Sequence, residues 1–195
     1  MHDWINHINN FTKRNGHHLS SVIEFGLGNG TEFWINNFER VTSVELMLKG
    51  ITDDQYLRAA MQRYVKFRNW NVRSYWLPEK FVELERIMRA TYPPIAGKPG
   101  ERECHITDPA IDEGYTQIIA DCFKGVKYDV AFVDPGTHFR GELVNGLFSY
   151  VDFIFAHDTN VRHIYGWNLI KIPEGWDTQH FSNTDLGTTL WHRKK

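Results

Sequence analysis

The sequence predicts an α/β fold: a three-layer α/β/α sandwich on a mostly parallel sheet, with a late antiparallel strand pair. Three observations carry this. Short apolar runs alternate with amphipathic stretches at helical spacing from residue 20 to residue 156, the pattern of a sheet with helices on both faces. Residues 128–133 form a near-continuous apolar run, as a strand buried on both faces requires. A glycine-rich turn separates the first strand from the helix after it. Open α/β sheets bind ligands beyond the carboxyl ends of their strands, beside the point where strand order reverses.

The elements follow in order. Residues 2–14 place Trp4, Ile5, Ile8 and Phe11 at helical spacing, and Asn15-Gly16 stops that helix. Residues 20–25 read as the first strand, followed by Gly26-Leu27-Gly28-Asn29-Gly30. Thr31 is placed to N-cap a helix running through about Glu39. Residues 41–46 are a second strand. Residues 53–68 are helical, with Tyr56, Ala60, Tyr64 and Phe67 on one face. Residues 71–77 form a third strand and 79–90 another helix. The 92–109 segment holds Pro93, Pro94, Pro99 and Pro109 with Gly97 and Gly100, and reads as a loop or lid. Helices over 112–123 and 139–150 flank the 128–133 strand, and 151–156 is a further buried strand. Residues 178–181 and 188–192 are expected to close the sheet as the antiparallel pair. The 195 residues are expected to form a single domain, 1–195, with 1–19 as its N-terminal helical region.

Composition narrows the partners. The net charge is −2, without the Lys and Arg excess of a nucleic-acid binder. Cys104 and Cys122 form no C-x-x-C pair, so a zinc knuckle is not expected and a reducing, cytoplasmic setting is. The first residues lack a basic start and apolar run. No stretch approaches the roughly 18 apolar residues of a membrane span, so no membrane partner is expected.

Two motifs carry chemistry. In Glu24-Phe25-Gly26-Leu27-Gly28-Asn29-Gly30 an acid near the strand end precedes three alternating glycines. Glycines let the chain turn sharply and let a ligand lie against bare backbone. The dinucleotide pattern Gly-x-Gly-x-x-Gly fails here, because Thr31 and Phe33 stand where its third glycine belongs. Glu45 lies 21 positions after Glu24, at the end of the second strand, where a carboxylate can accept hydrogen bonds from ribose hydroxyls. The second motif is Asp134-Pro135-Gly136-Thr137-His138-Phe139-Arg140, which ends a buried strand. The next strand ends in His157-Asp158-Thr159-Asn160.

The first motif matches the Glu/Asp-x-Gly-x-Gly-x-Gly pattern, and the chain resembles the Rossmann-like class I S-adenosylmethionine-dependent methyltransferases from there to about residue 160. The resemblance implies S-adenosylmethionine as cofactor, held by Glu24, Gly26, Gly28, Gly30, Glu45 and Asp134. It places adenine contacts near residues 76–79, where Tyr75 and Trp76 offer ring faces. Asp134 and Asp158 are similar to the paired acids of the catechol- and caffeoyl-coenzyme-A-type O-methyltransferases. In those enzymes the acids and a following Asn hold a divalent metal. Here Thr159 follows Asp158, and Asn160 comes one later. Two carboxylates and an amide oxygen would suit magnesium, which makes Asp134 and Asp158 the candidate metal ligands. The alternative is general-base catalysis by His138 or His157. Candidate catalytic residues are thus Asp134, His138 and Asp158. Arg140 reads as a solvated helix arginine, with pairing to an acidic substrate or to Glu24 as the alternatives. The expected function is methyl transfer to a hydroxyl or amine of a small-molecule or sugar-like acceptor. The alternative is a non-catalytic S-adenosylmethionine-binding module on the same fold.

Overall fold

The computed structural model describes residues 3–14, 19–28, 30–91, 106–160, 162–181 and 186–194. The first fourteen of the 92–109 loop, Asn29 and Cys104 lie outside them. Helix α1 spans Asp3–Arg14, β1 Ser21–Phe25, α2 Thr31–Asn37, β2 Arg40–Met47, α3 Gln55–Tyr64, β3 Trp70–Trp76 and α4 Glu79–Thr91. Then come α5 Pro109–Phe123, β4 Val130–Val133, α6 Arg140–Leu147, β5 Phe153–His157, α7 Arg162–Tyr165, a 3-10 turn at Trp167–Leu169, β6 Trp176–Phe181 and β7 Thr188–Arg193. Among the described residues, no helix is long and apolar enough to cross a membrane.

The strands form a seven-stranded sheet in the order β3-β2-β1-β4-β5-β7-β6. β3, β2, β1, β4 and β5 are parallel, while β7 runs antiparallel to both β5 and β6. This is the three-layer sandwich with the late antiparallel pair. β1 and β4 are buried at every position, because helices cover both sheet faces. One core packs Phe25, Val44, Phe81, Tyr115, Val133 and Leu143 under α4, α5 and α6. The other packs Ile8, Val22, Trp34, Val41, Tyr64 and Phe155 on the opposite face. Alternate residues of one strand feed the two cores, as the two-residue strand period requires.

Local chemistry sets the helix ends. Asp108 caps α5: its carboxylate accepts from the Ala110 amide at 2.9 Å, and Pro109 occupies the first turn. Proline loses nothing there, since its missing N–H would have had no helical partner. Thr31 does not cap α2. Gly30 does, and the buried Thr31 hydroxyl accepts instead from the Gly28 amide at 3.2 Å. The helix therefore starts one residue earlier than expected, with Thr31 tying the glycine turn to it. α3 is shorter than the 53–68 helix expected from its pattern.

Glu142 on α6 is buried at 8% exposure, and its carboxylate oxygens accept no hydrogen bond from another described residue. Burial pushes its pKa up to about 8. The folded protein thus keeps a proton there that the unfolded chain gives up above about pH 4.5. The stability this proton confers is full at low pH and is lost as pH rises through about 8. Glu142→Gln should shrink the loss of melting temperature between pH 6 and pH 9 by several degrees, corresponding to roughly 2 kcal/mol. An unchanged pH slope in thermal melts would contradict this.

Candidate active site

Strand register assembles the site. Phe25 pairs with Val44 and with Val133, and Val133 pairs with Ala156. One rung further, Glu45, Gly26, Asp134 and His157 stand side by side across four parallel strands. The Gly26 amide donates to the Val44 carbonyl, and the Asp134 amide to the Phe25 carbonyl, both at 2.9 Å. This rung is the carboxyl edge of the sheet, beside β1, where strand order reverses.

Gly26 has φ +101°, a conformation that suits glycine alone. A Cβ there would lie 2.1 Å from the Asp134 carbonyl oxygen. Gly28 differs: the nearest atoms to a Cβ would be 3.9 and 4.0 Å away, the second being the Tyr56 hydroxyl. Gly26 is thus required by backbone packing against the β4 strand end, and Gly28 leaves open room beside the turn. Glu45 Oε2 accepts from the Leu27 amide at 3.0 Å, which ties the acid to the glycine turn. Burial holds its carboxyl above the usual range. Glu24 is buried at 1% exposure and accepts from the Ser43 hydroxyl. Burial, against the pull of its Ser43 and Thr31 hydrogen bonds, pushes its pKa up to about 8. Its carboxyl is therefore neutral at pH 7 in the free protein.

Asp134 and Asp158 meet through Arg140. The guanidinium Nη1 donates to Asp134 Oδ1 at 2.7 Å and to Asp158 Oδ2 at 3.1 Å. Arg140 is 5% exposed, with its Cζ 3.7 Å over the Tyr165 ring. The expectation of a solvated arginine is corrected. A buried guanidinium needs paired anions, and the edge supplies two. It does not reach Glu24. His157 Nδ1 lies 3.1 Å from Asp158 Oδ1 and 3.5 Å from Asp134 Oδ2. The Asp158 contact is an ion pair rather than an aligned hydrogen bond, since Asp158 Oδ1 accepts none. Burial lowers the imidazole pKa, but the two carboxylates outweigh it and hold it above its ordinary value. Burial raises the Asp158 carboxyl, against the pull of Arg140. Asp158 adopts φ +61°, uncommon outside glycine, and its carbonyl accepts from the Trp167 indole at 3.0 Å.

Other candidates lie elsewhere. His138 is buried against α4, its amide donating to Glu85 Oε2 at 3.0 Å and its ring nitrogen 2.7 Å from Glu85 Oε1. Arg89 joins the same carboxylate and also donates to the Gly136 carbonyl at 2.7 Å. His138 thus braces the loop that carries Asp134 and does not join the Asp134–His157–Asp158 group. Thr159 and Asn160 turn toward β6 and β7: Thr159 accepts from Thr189, and Asn160 Oδ1 is 2.9 Å from His180. Tyr75 bonds Asp121, and Trp76 is 63% exposed.

Asp134, His157 and Asp158 offer ligand atoms within 4.8 Å of one another, but the arrangement fits magnesium poorly. A guanidinium already bridges the two carboxylates, and the amide of Asn160 faces away. Glu85, Tyr165 and Trp167 were not singled out from sequence as site residues. Tyr165 and Trp167 follow shortly after Asp158 in the chain, but nothing local marks Glu85.

No family model and no curated protein sequence matches the chain. Solved structures do. A caffeoyl-CoA O-methyltransferase candidate from Staphylococcus aureus aligns at TM-score 0.52 and 14% identity, over 97% of this chain and 82% of that one. MtNAS, in complex with MTA and tNA, aligns at TM-score 0.52 and 12% identity, over 98% of this chain and 60% of that one. At such identities the likeness concerns the fold alone: this chain shares the Rossmann-like α/β fold of these two structures.

Proposed function

We propose that this chain binds S-adenosylmethionine at the carboxyl edge and transfers its methyl group to a hydroxyl or amine of a small acceptor. The observation that supports this is the shared rung of Gly26, Glu45, Asp134 and His157. It sets the glycine turn two strands, and the ribose-competent acid three strands, from a titratable base. The donor set fits the cofactor. Glu45 is an acceptor held at the turn, and Gly28 leaves room beside it.

S-adenosylmethionine, when bound, supplies an electrophilic methyl group on a sulfonium. The protein orients and desolvates. Glu45 accepts from the ribose hydroxyls. Arg140 holds Asp134 and Asp158 in place. The carboxylates beside Nδ1 favour the proton there and leave His157 Nε2 to take the acceptor's proton. Activity should therefore persist in EDTA.

Calorimetric titration with S-adenosylhomocysteine, with NAD as control, tests the cofactor. Micromolar binding of S-adenosylhomocysteine alone, lost in Gly28→Arg while the melting temperature holds, is the expected result. Binding of NAD, or of neither, would refute the assignment.

A further inference from the structure

A second cavity lies at the opposite edge of the sheet. Its volume is about 360 Å³, within the range of small-ligand sites. Arg40 and Thr42 of β2 and Asn71 and Arg73 of β3 line it. Thr42 pairs with Asn71 in the sheet, and alternate residues on paired strands share a face. Tyr128 closes it from the loop before β4, donating to the Thr42 hydroxyl at 2.9 Å.

Arg68 is the third guanidinium on the wall. Against the three arginines stands one lining acid, Glu39. Asp121, outside the lining, lies 3.6 Å from Arg73. Among the described residues, Arg68 has no acidic partner within ion-pair distance, and neither does Arg40. Arg40 is nonetheless ordered: its guanidinium lies 5.3 Å from the Tyr128 ring centroid and donates to the Lys127 carbonyl. Guanidinium donors held in a fixed plane match oxyanions and stay charged at any working pH.

The positive charge here does not follow from the chain as a whole, whose net charge is −2. The excess is local to this cavity, three arginines against one lining acid. From Arg40 to Glu45 is five strand residues, about 17 Å, so the two sites are separate. We propose that the amino-edge cavity binds a small phosphate-bearing ligand through Arg68, Arg40 and Arg73.

The test is titration of the full chain with pyrophosphate and, separately, adenosine monophosphate, at low and at physiological salt. The expected result is saturable binding that Arg68→Glu weakens at least tenfold, with S-adenosylhomocysteine affinity unchanged. Lys194→Glu, remote from the cavity, should leave phosphate binding intact. No saturable binding, or equal affinity in Arg68→Glu, would overturn the proposal. So would a short single-stranded oligonucleotide that binds far tighter than either small phosphate through the same arginines, which would mark a nucleic-acid surface instead.

Discussion

Gly26→Ala should abolish S-adenosylhomocysteine binding and lower the melting temperature by roughly 5–15 °C, whereas Gly28→Ala should do neither. Gly26 carries φ +101°, and its Cβ would stand 2.1 Å from the Asp134 carbonyl oxygen, 2.6 Å from that carbon and 2.7 Å from Pro135 Cα. All three are backbone atoms, so no side-chain rotation relieves the clash. The left-handed conformation costs a further 1–2 kcal/mol or so for a residue with a Cβ, and overpacking of this kind costs about 1–3 kcal/mol. In a chain of this size each kcal/mol moves the melting temperature by roughly 2–4 °C. The same clash parts the glycine turn from Asp134, so binding and stability fall together. At Gly28 an added methyl meets nothing closer than 3.9 Å. Thermal melts and calorimetry on the two variants decide the matter. A Gly26→Ala protein with wild-type stability and affinity would show that the β1 and β4 strand ends do not pack as described.

The second large effect is expected at His157. His157→Asn should lower kcat by roughly 10²–10⁴, the usual contribution of a general base, while S-adenosylhomocysteine affinity stays within about threefold. A base works unprotonated, so the acid limb of the rate profile follows the His157 pKa. The carboxylates of Asp134 and Asp158 hold that pKa above its ordinary value against burial, which moves the limb upward from where an unperturbed histidine would set it. Asp158→Asn removes one of them and should move the limb to lower pH. A purely structural histidine would leave the limb in place. His138→Asn separates the two histidines: it removes the ring contact to the buried Glu85, which Arg89 still holds, and should cost stability without moving the limb. Loss of the limb shift in Asp158→Asn, or full activity in His157→Asn, would remove His157 as the base.

The strand and helix order was legible from periodicity alone. Buried parallel strands must be apolar on both faces, and amphipathic helices must repeat at 3.6 residues. The positions of the glycine turn and Glu45 were equally legible, because both are set by a strand and the turn beside it. The antiparallel β6–β7 pair was also anticipated, although β6 is mostly exposed.

What spacing could not reveal was which way each side chain turns once the strands are paired. His138 and His157 both follow buried strands, yet one faces Glu85 of a helix 53 positions earlier and the other faces the site. The sequence by itself determined the elements, the glycine turn and the acids at the strand ends, because local backbone and burial demands write those. Only the tertiary structure decided that Arg140 is the buried cation between Asp134 and Asp158, and that Thr159 and Asn160 turn away. Those outcomes depend on strand register and on helices brought in from distant parts of the chain, where desolvated charges must find partners or neutralise.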